Sequence, residues 1–134
     1  MTTQHDHSAP NAVPQQALAQ TIGAHISQPG DCSTAIAGLG LFRREQPSPP
    51  VVCMVEPSII LVAQGEKRLW VGGEGYPYDP SRFLLTSLDL PANSEVLVAS
   101  PQQPCVGLTL KLDLRMLAEL IAQGGLPPSR ERSV

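Results

Sequence analysis

The stretch from Gly75 to Leu85, "GYPYDPSRFLL", holds both tyrosines of the chain and one of its two phenylalanines. Asp79-Pro80-Ser81 in its middle predicts a turn, because proline presets φ and an aspartate side chain can accept a hydrogen bond from the backbone beyond it. Pro77 lacks an N–H and therefore suits the edge or the end of a strand. The pattern favours a corner between two strands over an aromatic binding site, with Tyr78 as the ring placed to reach an interior cavity.

On both sides of this corner the sequence is divided into short apolar runs, each closed by Pro, Gly or Asp. Such punctuation about every ten residues is typical of an all-β sandwich or barrel and not of βαβ units. The run "ILVAQGEKRLWV" (60–71) predicts a tight hairpin in which Gly65 supplies a positive φ. The seven predicted strands are 39–43, 51–55, 58–64, 67–72, 82–87, 95–100 and 106–112.

The polar N-terminal residues precede a short predicted helix. Residues 1–13 contain proline and show no apolar periodicity, which predicts a disordered leader. Leu18, Ile22 and Ile26 then recur at the spacing of one helix face, which predicts a helix within 14–28.

A second helix is predicted where the last strand ends. In "DLRMLAELIAQGG" (113–125) Asp113 is the expected N-cap, and an apolar stripe follows it. The stripe consists of Leu114, Leu117, Leu120 and Ile121. The folded domain is therefore expected to span 38–126, with 127–134 as a linker or the end of the chain.

Composition argues for one small domain that does not bind nucleic acid by itself. The 134 residues carry a net charge of −3, and aromatic residues make up only 4%, so the core must be aliphatic. The nine basic residues are spread thinly, unlike a surface that replaces phosphate counterions. The three cysteines form no C-x-x-C pair, and neither a secretory signal nor a membrane-spanning run is evident. These features favour a protein with reduced thiols in the cytoplasm.

The predicted β-rich part offers little catalytic chemistry. It contains no histidine between residues 38 and 112, so neither a metal site nor another cofactor is expected. Glu56 and Asp89 flank prolines at strand ends, where turn chemistry is favoured over catalysis. Cys53 is predicted to be a small core residue, and the alternative is a pocket thiol that senses electrophiles or oxidants. Trp70 is likewise favoured as core or interface over a ligand platform.

Three phrases carry a family resemblance. They are "EPSIILVAQGEK" (56–67), "YPYDPSRFLLTSLDLP" (76–91) and "SPQQPCVGLTLKLD" (100–113). In order and spacing they resemble one branch of the AraC-type bacterial transcription regulators, and the likeness to the N-terminal, effector-binding region of that family extends over 40–123. The resemblance implies a cupin-like jelly roll (a double-stranded β-helix). Together with the two helices that the apolar spacing predicts, the expected fold is mainly β with a short N-terminal helix and a C-terminal helix. The resemblance also implies a helix used for dimerisation and a DNA-binding domain that is absent from this chain.

The leading hypothesis is therefore a ligand-sensing regulatory domain that binds a small organic effector, forms a homodimer and is not an enzyme. DNA would be contacted only through a C-terminal domain absent from this chain, and no membrane partner is expected. Two alternatives stay open: a free-standing, metal-independent cupin enzyme of the isomerase kind, and a purely structural dimerisation module with a filled barrel. The predicted ligand-binding residues are Cys53, Glu56, Trp70, Tyr78 and Asp89, and the predicted dimer residues are Leu117, Leu120 and Ile121.

Overall fold

The computed structural model of the chain describes residues 2–6, 12–87 and 89–124. Strands predominate in these ranges, as the sequence predicts, and a short helix lies near the N-terminus. In chain order the elements are β1 (Thr2–Asp6), α1 (Ala12–His25), β2 (Gly30–Ser33), β3 (Leu39–Arg44), β4 (Ser48–Val55), β5 (Ser58–Gln64), β6 (Glu66–Val71), β7 (Glu74–Tyr78), β8 (Arg82–Thr86), β9 (Leu90–Val98), β10 (Cys105–Lys111) and α2 (Leu114–Ala122).

The strands form two antiparallel sheets that pack face to face. The larger sheet has the order β1-β8-β5-β10-β3-β2, and the smaller has the order β4-β9-β6-β7. Successive side chains of a strand point to opposite faces, so each sheet sends alternate residues into the space between them. The core there includes Phe42, Val62, Leu69, Tyr78 and Leu84, each at most 5% exposed.

The chain passes from one sheet to the other at Gly65, and the predicted hairpin across this residue is wrong. Strand β5 belongs to the larger sheet and β6 to the smaller, so the two do not pair. The glycine is still required, because its φ is 91° and a Cβ there would lie 2.7 Å from the Val98 carbonyl oxygen. The hairpin in this region joins β6 to β7 through Gly72 and Gly73, both with positive φ, as a type I′ turn requires.

A second passage between the sheets lies at Asp79–Arg82, where the sequence predicts a corner. The backbone N–H of Asp79 donates to the Arg82 carbonyl oxygen at 3.1 Å, and the Arg82 N–H donates back at 3.0 Å. Asp79 Oδ1 accepts hydrogen bonds from the Ser81 N–H at 2.8 Å and from the Ser81 hydroxyl at 2.6 Å. The predicted turn chemistry is thus confirmed, and it joins β7 of the smaller sheet to β8 of the larger one.

The N-terminal region differs from the prediction. Thr2–Asp6 pairs with β8, although 1–13 is predicted to be a disordered leader; residues 1 and 7–11 lie outside the described residues. A strand at a sheet edge pairs through its backbone and needs no apolar pattern, so periodicity could not reveal it. Strand β2 pairs with β3 and so belongs to the larger sheet. The sheet therefore includes residues that precede position 38, where the sequence predicts the domain to begin.

Helix α1 covers the outer face of the larger sheet. It begins at Ala12 and ends at His25, whereas the predicted range is 14–28. Ile22 and Ile26 of the predicted stripe are buried, while Leu18 is half-buried. They pack with Leu41 and Val106 in a cluster separate from the core between the sheets.

Helix α2 follows directly on β10. Asp113 Oδ1 accepts a hydrogen bond from the Arg115 N–H at 3.0 Å, which is N-cap geometry. Leu114 and Ile121 are 46% and 53% exposed. The side chains of Leu117 and Leu120, and all of 125–134, lie outside the described residues, so the prediction of a dimer interface there stays a prediction.

Gly107 allows us to predict how tightly the core depends on one missing side chain. A Cβ at this position would overlap the Leu61 carbonyl oxygen and the Phe42 ring. We expect Gly107→Ala to destabilise the protein by about 2–3 kcal/mol, because the backbone of β5 cannot move aside as a flexible side chain would. Urea unfolding followed by circular dichroism measures the change.

Gly23 is the matched control for that substitution. It lies inside α1 and a Cβ there would meet nothing within 4 Å. Gly23→Ala should therefore stabilise the protein by about 0.5–1 kcal/mol through helix propensity. Equal effects of the two substitutions would contradict the assigned contacts of Gly107.

Candidate functional site

A cavity of about 790 Å³ lies between the two sheets. Its volume is within the range of ligand pockets, roughly 300–1,000 Å³. Apolar side chains from several strands form the larger part of the wall, and polar and charged side chains lie between them. The wall includes Phe42 of β3, Cys53 and Val55 of β4, Ile60 of β5, Lys67 and Leu69 of β6, Tyr78 of β7 and Ser94 of β9.

Lys67 is placed in the cavity by the alternation of β6. Lys67 and Leu69 are the buried residues of this strand, at 8% and 2% exposed, whereas Arg68 between them points to the outer face. Lys67 Nζ lies 4.6 Å from the centroid of the Phe42 ring and 6.0 Å from that of the Tyr78 ring. A cation at such distances is attracted to the faces of the rings.

The ammonium group of Lys67 is poorly compensated. Within 2–6, 12–87 and 89–124, Lys67 makes no salt bridge within 4.0 Å, while five other cationic side chains do. Burial lowers the pKa of Lys67, and the nearby Arg44 charge lowers it further. Cys105, Asp31 and Cys53 oppose this shift. Lys67 is thus a desolvated cation held chiefly against aromatic rings.

Two ion pairs account for the other charges on the cavity wall. Arg44 Nη2 lies 2.8 Å from Asp31 Oδ1, and Arg44 Nη1 donates to the Gly30 carbonyl oxygen at 2.9 Å. Lys111 Nζ lies 3.4 Å from Glu56 Oε2, and both side chains are more than half exposed. Because each pair is neutral as a whole, Lys67 leaves the wall with one uncompensated positive charge.

Tyr78 supplies a neutral polar group beside Lys67. Its side chain is 1% exposed, and burial raises the pKa of its hydroxyl well above the usual range. The negative charges that Cys105 and Cys53 could carry act in the same direction, while a hydrogen bond with Ser94 and the Arg44 charge oppose them. The phenol therefore stays protonated at neutral pH and can donate or accept a hydrogen bond.

The comparison with known families decides what kind of domain holds this cavity. Residues 35–134 match the family model of the AraC-type transcriptional regulator N-terminus. The chain belongs to this family. A cupin protein from Bacteroides fragilis has a crystal structure similar to this chain, with 14% sequence identity and a TM-score of 0.41, covering 78% of this chain and 86% of that one. No protein of curated function matches the chain significantly.

Three of the predicted site residues of this AraC-type domain lie at the cavity, and they differ in character. Tyr78 lies at the inner wall, where the sequence pattern places it. Cys53 lies half-buried between the cavity and the core, and burial raises the pKa of its thiol, with the Lys67 charge opposing. Glu56 lies at the exposed rim in its pair with Lys111. The raised pKa of Cys53 disfavours a reactive thiolate at neutral pH.

Trp70 and Asp89 lie outside the cavity, contrary to the prediction. The Trp70 side chain points to the outer face of β6, as the Arg68 side chain does. The guanidinium carbon of Arg68 lies 5.3 Å from the centroid of the indole ring. Trp70 Nε1 donates to Glu95 Oε1 at 2.9 Å. Asp89 is exposed just before β9. Apolar character suggests an inward Trp70, but strand alternation sets its direction and turns it outward.

Lys67, Arg44 and Phe42 are the site residues that the sequence reasoning missed. Lys67 lies two residues before Leu69, so both side chains point to the face of β6 that packs on the core. Phe42 and Arg44, two residues apart on β3, likewise point to the same face of their strand. The available signal was a lysine two residues before a leucine on one predicted strand, so that both side chains point to the same face.

In the part of the chain that the structure describes, no three His, Cys, Asp or Glu side chains come together as a metal site would require. Across the same residues, no helix is long and apolar enough to cross a bilayer.

The buried charge of Lys67 generates a stability prediction. Lys67→Met keeps a similar volume but removes the desolvated cation, so we expect the ligand-free protein to gain about 1–3 kcal/mol at pH 7. Each kcal/mol raises Tm by roughly 4 °C in a domain of this size. The control is Lys111→Met, since Lys111 is exposed at the rim and should change Tm little. A Lys67→Met protein less stable than the wild type at pH 7 would contradict this account of the site.

The same substitution predicts a pH dependence with a definite sign. The pKa of Lys67 is lower in the folded protein than its ordinary 10.5, so the unfolded chain binds more protons between these two values. The wild type should therefore gain stability relative to Lys67→Met as pH rises through that window. Burial also raises the pKa of Cys105, to about 11, and those of Cys53 and Tyr78 in both proteins, but the Lys67 charge that opposes the rise at the two thiols is lost in Lys67→Met. Thermal unfolding of the two proteins at a series of pH values from neutral up to 10.5 should show the stability difference between them narrowing.

Proposed function

We propose that this chain is the ligand-sensing regulatory domain of an AraC-type transcription regulator. A small organic effector enters the cavity between the two sheets and binds one conformation of the domain better than another, which shifts the population. The observation that supports this proposal is the cavity of about 790 Å³, whose wall combines apolar side chains with polar and charged ones, in a domain of this family.

The proposal includes a homodimer in the cytoplasm that binds DNA through a domain outside this chain. Leu114 and Ile121 of α2 expose apolar surface, and the predicted dimer residues Leu117 and Leu120 are in the same helix. A helix that packs against its twin across a two-fold axis would bury that surface. The net charge of −3 fits a chain that leaves DNA contact to another domain.

Binding without turnover is favoured over a cupin-type isomerase. A general acid or base works best when its pKa lies near the operating pH. Burial raises the pKa values of the cavity groups Cys53 and Tyr78, away from neutrality, and lowers that of Lys67 towards it. Of the cavity groups whose pKa is shifted, only Lys67 moves towards neutrality, so the acid–base pair that an isomerase needs is not assembled among them. We therefore propose that the domain is not an enzyme. A purely structural module is disfavoured because such a module would fill the space between its sheets.

A thermal-shift screen of small organic compounds tests effector binding. A ligand that binds only the folded state should raise Tm with concentration, by about 2.7 kcal/mol of added stability at 100 times Kd. Cys53→Trp places an indole in the cavity and should abolish the shift. Its matched control is Val52→Trp on the neighbouring residue, which is 80% exposed and faces away from the cavity, and which should keep the shift. If Cys53→Trp folds and still responds like Val52→Trp, the effector does not bind in this cavity.

Dimerisation is tested separately by sedimentation. Ile121→Glu places a charge on the exposed apolar face of α2 and should convert dimer to monomer. Ala122→Glu, on the next residue of the same helix, should leave the dimer intact. A wild-type domain that sediments as a monomer at all accessible concentrations would overturn this part of the proposal.

A further inference from the structure

The charge at the inner wall of the cavity restricts the chemistry of a ligand that could occupy it. Lys67 is 8% exposed, and its Nζ lies against the faces of Phe42 and Tyr78. A buried ammonium is normally paired with an anion, since an uncompensated charge in a low dielectric is costly. Within 2–6, 12–87 and 89–124, no carboxylate oxygen lies within 4.0 Å of it. An anionic partner for this cation would therefore come from outside the described residues.

The neighbouring acidic groups are already engaged. Asp31 pairs with Arg44 at 2.8 Å, and its side chain is 74% exposed. Glu56 pairs with Lys111 at the rim, where its side chain is 57% exposed. For either carboxylate to compensate Lys67 instead, it would have to leave its cation and enter the cavity without its water. The cavity therefore presents one net positive charge, carried by Lys67.

The surface around this charge is mostly apolar or aromatic. Phe42, Val55, Ile60 and Leu69 line the cavity on strands of both sheets. Tyr78, whose ring centroid lies 6.0 Å from Lys67 Nζ, adds a neutral hydroxyl to the wall, and Ser94 adds another. This combination suits a ligand with a single negative group and an apolar body.

We infer that the effector is a small organic monoanion, with a carboxylate as the fitting group, whose negative charge pairs with the Lys67 ammonium while its apolar body packs against Phe42 and Leu69. The inference rests on the proposed function, because it assigns the chemical class of the effector that the cavity binds. It also gives Lys67 a role that its ligand-free surroundings leave open. The anion replaces the hydration that Lys67 loses on folding, so the ligand stabilises the site through the group that destabilises it when empty.

Matched probe compounds test this inference on the whole chain. Benzoate and hexanoate carry one negative charge, while benzamide and hexanamide have nearly the same shape without the charge. Calorimetric titration and thermal shift should show benzoate or hexanoate binding more tightly than its amide. Lys67→Met and Lys67→Gln should weaken binding of the anion by at least about tenfold, because truncating one partner of a buried charge pair is costly, and should leave amide binding unchanged. Arg68→Met, on the outer face of the same strand, removes a positive charge outside the cavity and should leave anion binding within about twofold of the wild type.

The outcomes separate the two levels of the proposal. If neutral amides raise Tm as strongly as the acids, or if both Lys67 variants bind the acids like the wild type, the inferred charge class is wrong while a ligand-binding cavity stands. If benzoate and hexanoate bind in the Lys67→Met protein but are lost in Cys53→Trp, the anion occupies the cavity without using Lys67, and the inference fails. If neither the probes nor the wider compound screen shifts Tm, the proposed effector function fails with it.

Discussion

The site depends on where the chain leaves one sheet for the other. Gly65 carries out the first passage, with a φ of 91° and no space for a Cβ, and Lys67 follows two residues later. Asp79 begins the second passage, and Tyr78 directly precedes it. Because side-chain direction alternates along a strand, fixing the residue at a corner fixes which neighbours face inward. The two corners therefore bring the ammonium of Lys67 and the ring of Tyr78 to the same side of the smaller sheet.

A second dependence links the core to the charge. The Phe42 ring occupies the space that a side chain at residue 107 would fill, and the missing Cβ of Gly107 lets that ring pack against β10. The same ring lies 4.6 Å from Lys67 Nζ and supplies a favourable contact to the cation. Cation–π attraction offsets only part of the desolvation of a buried ammonium. A buried cation without an anionic partner among the described residues is a pattern expected where function and stability make opposite demands.

The features that local sequence predicted are those that local physics determines. The turn at Asp79–Arg82 follows from proline and aspartate chemistry, and the buried positions Ile22 and Ile26 follow from helical spacing. Gly65 shows the limit of such reasoning, because a positive φ serves equally well in a hairpin and in a passage between sheets. Only the pairing of β6 with β9, far away in sequence, distinguishes these cases. The pairing of Thr2–Asp6 with β8 is also a backbone contact between segments distant in sequence, and no side-chain pattern predicts it.

The same distinction between local sequence and long-range strand pairing applies to the site residues. Hydrophobicity predicts that Trp70 is buried and that Lys67 is exposed. The alternation of side chains along β6 does the opposite, since it points Lys67 inward and Trp70 outward. The outward Trp70 is satisfied locally, since Glu95 accepts its N–H and Arg68 covers its ring. Nothing comparable satisfies Lys67 among the described residues. A lysine at an inward-facing position of a strand loses hydration, and another interaction is needed to offset that loss. The conflict between residue type and strand phase, visible in the sequence once the phase is known, therefore marks Lys67 as the residue whose partner is to be sought in a ligand.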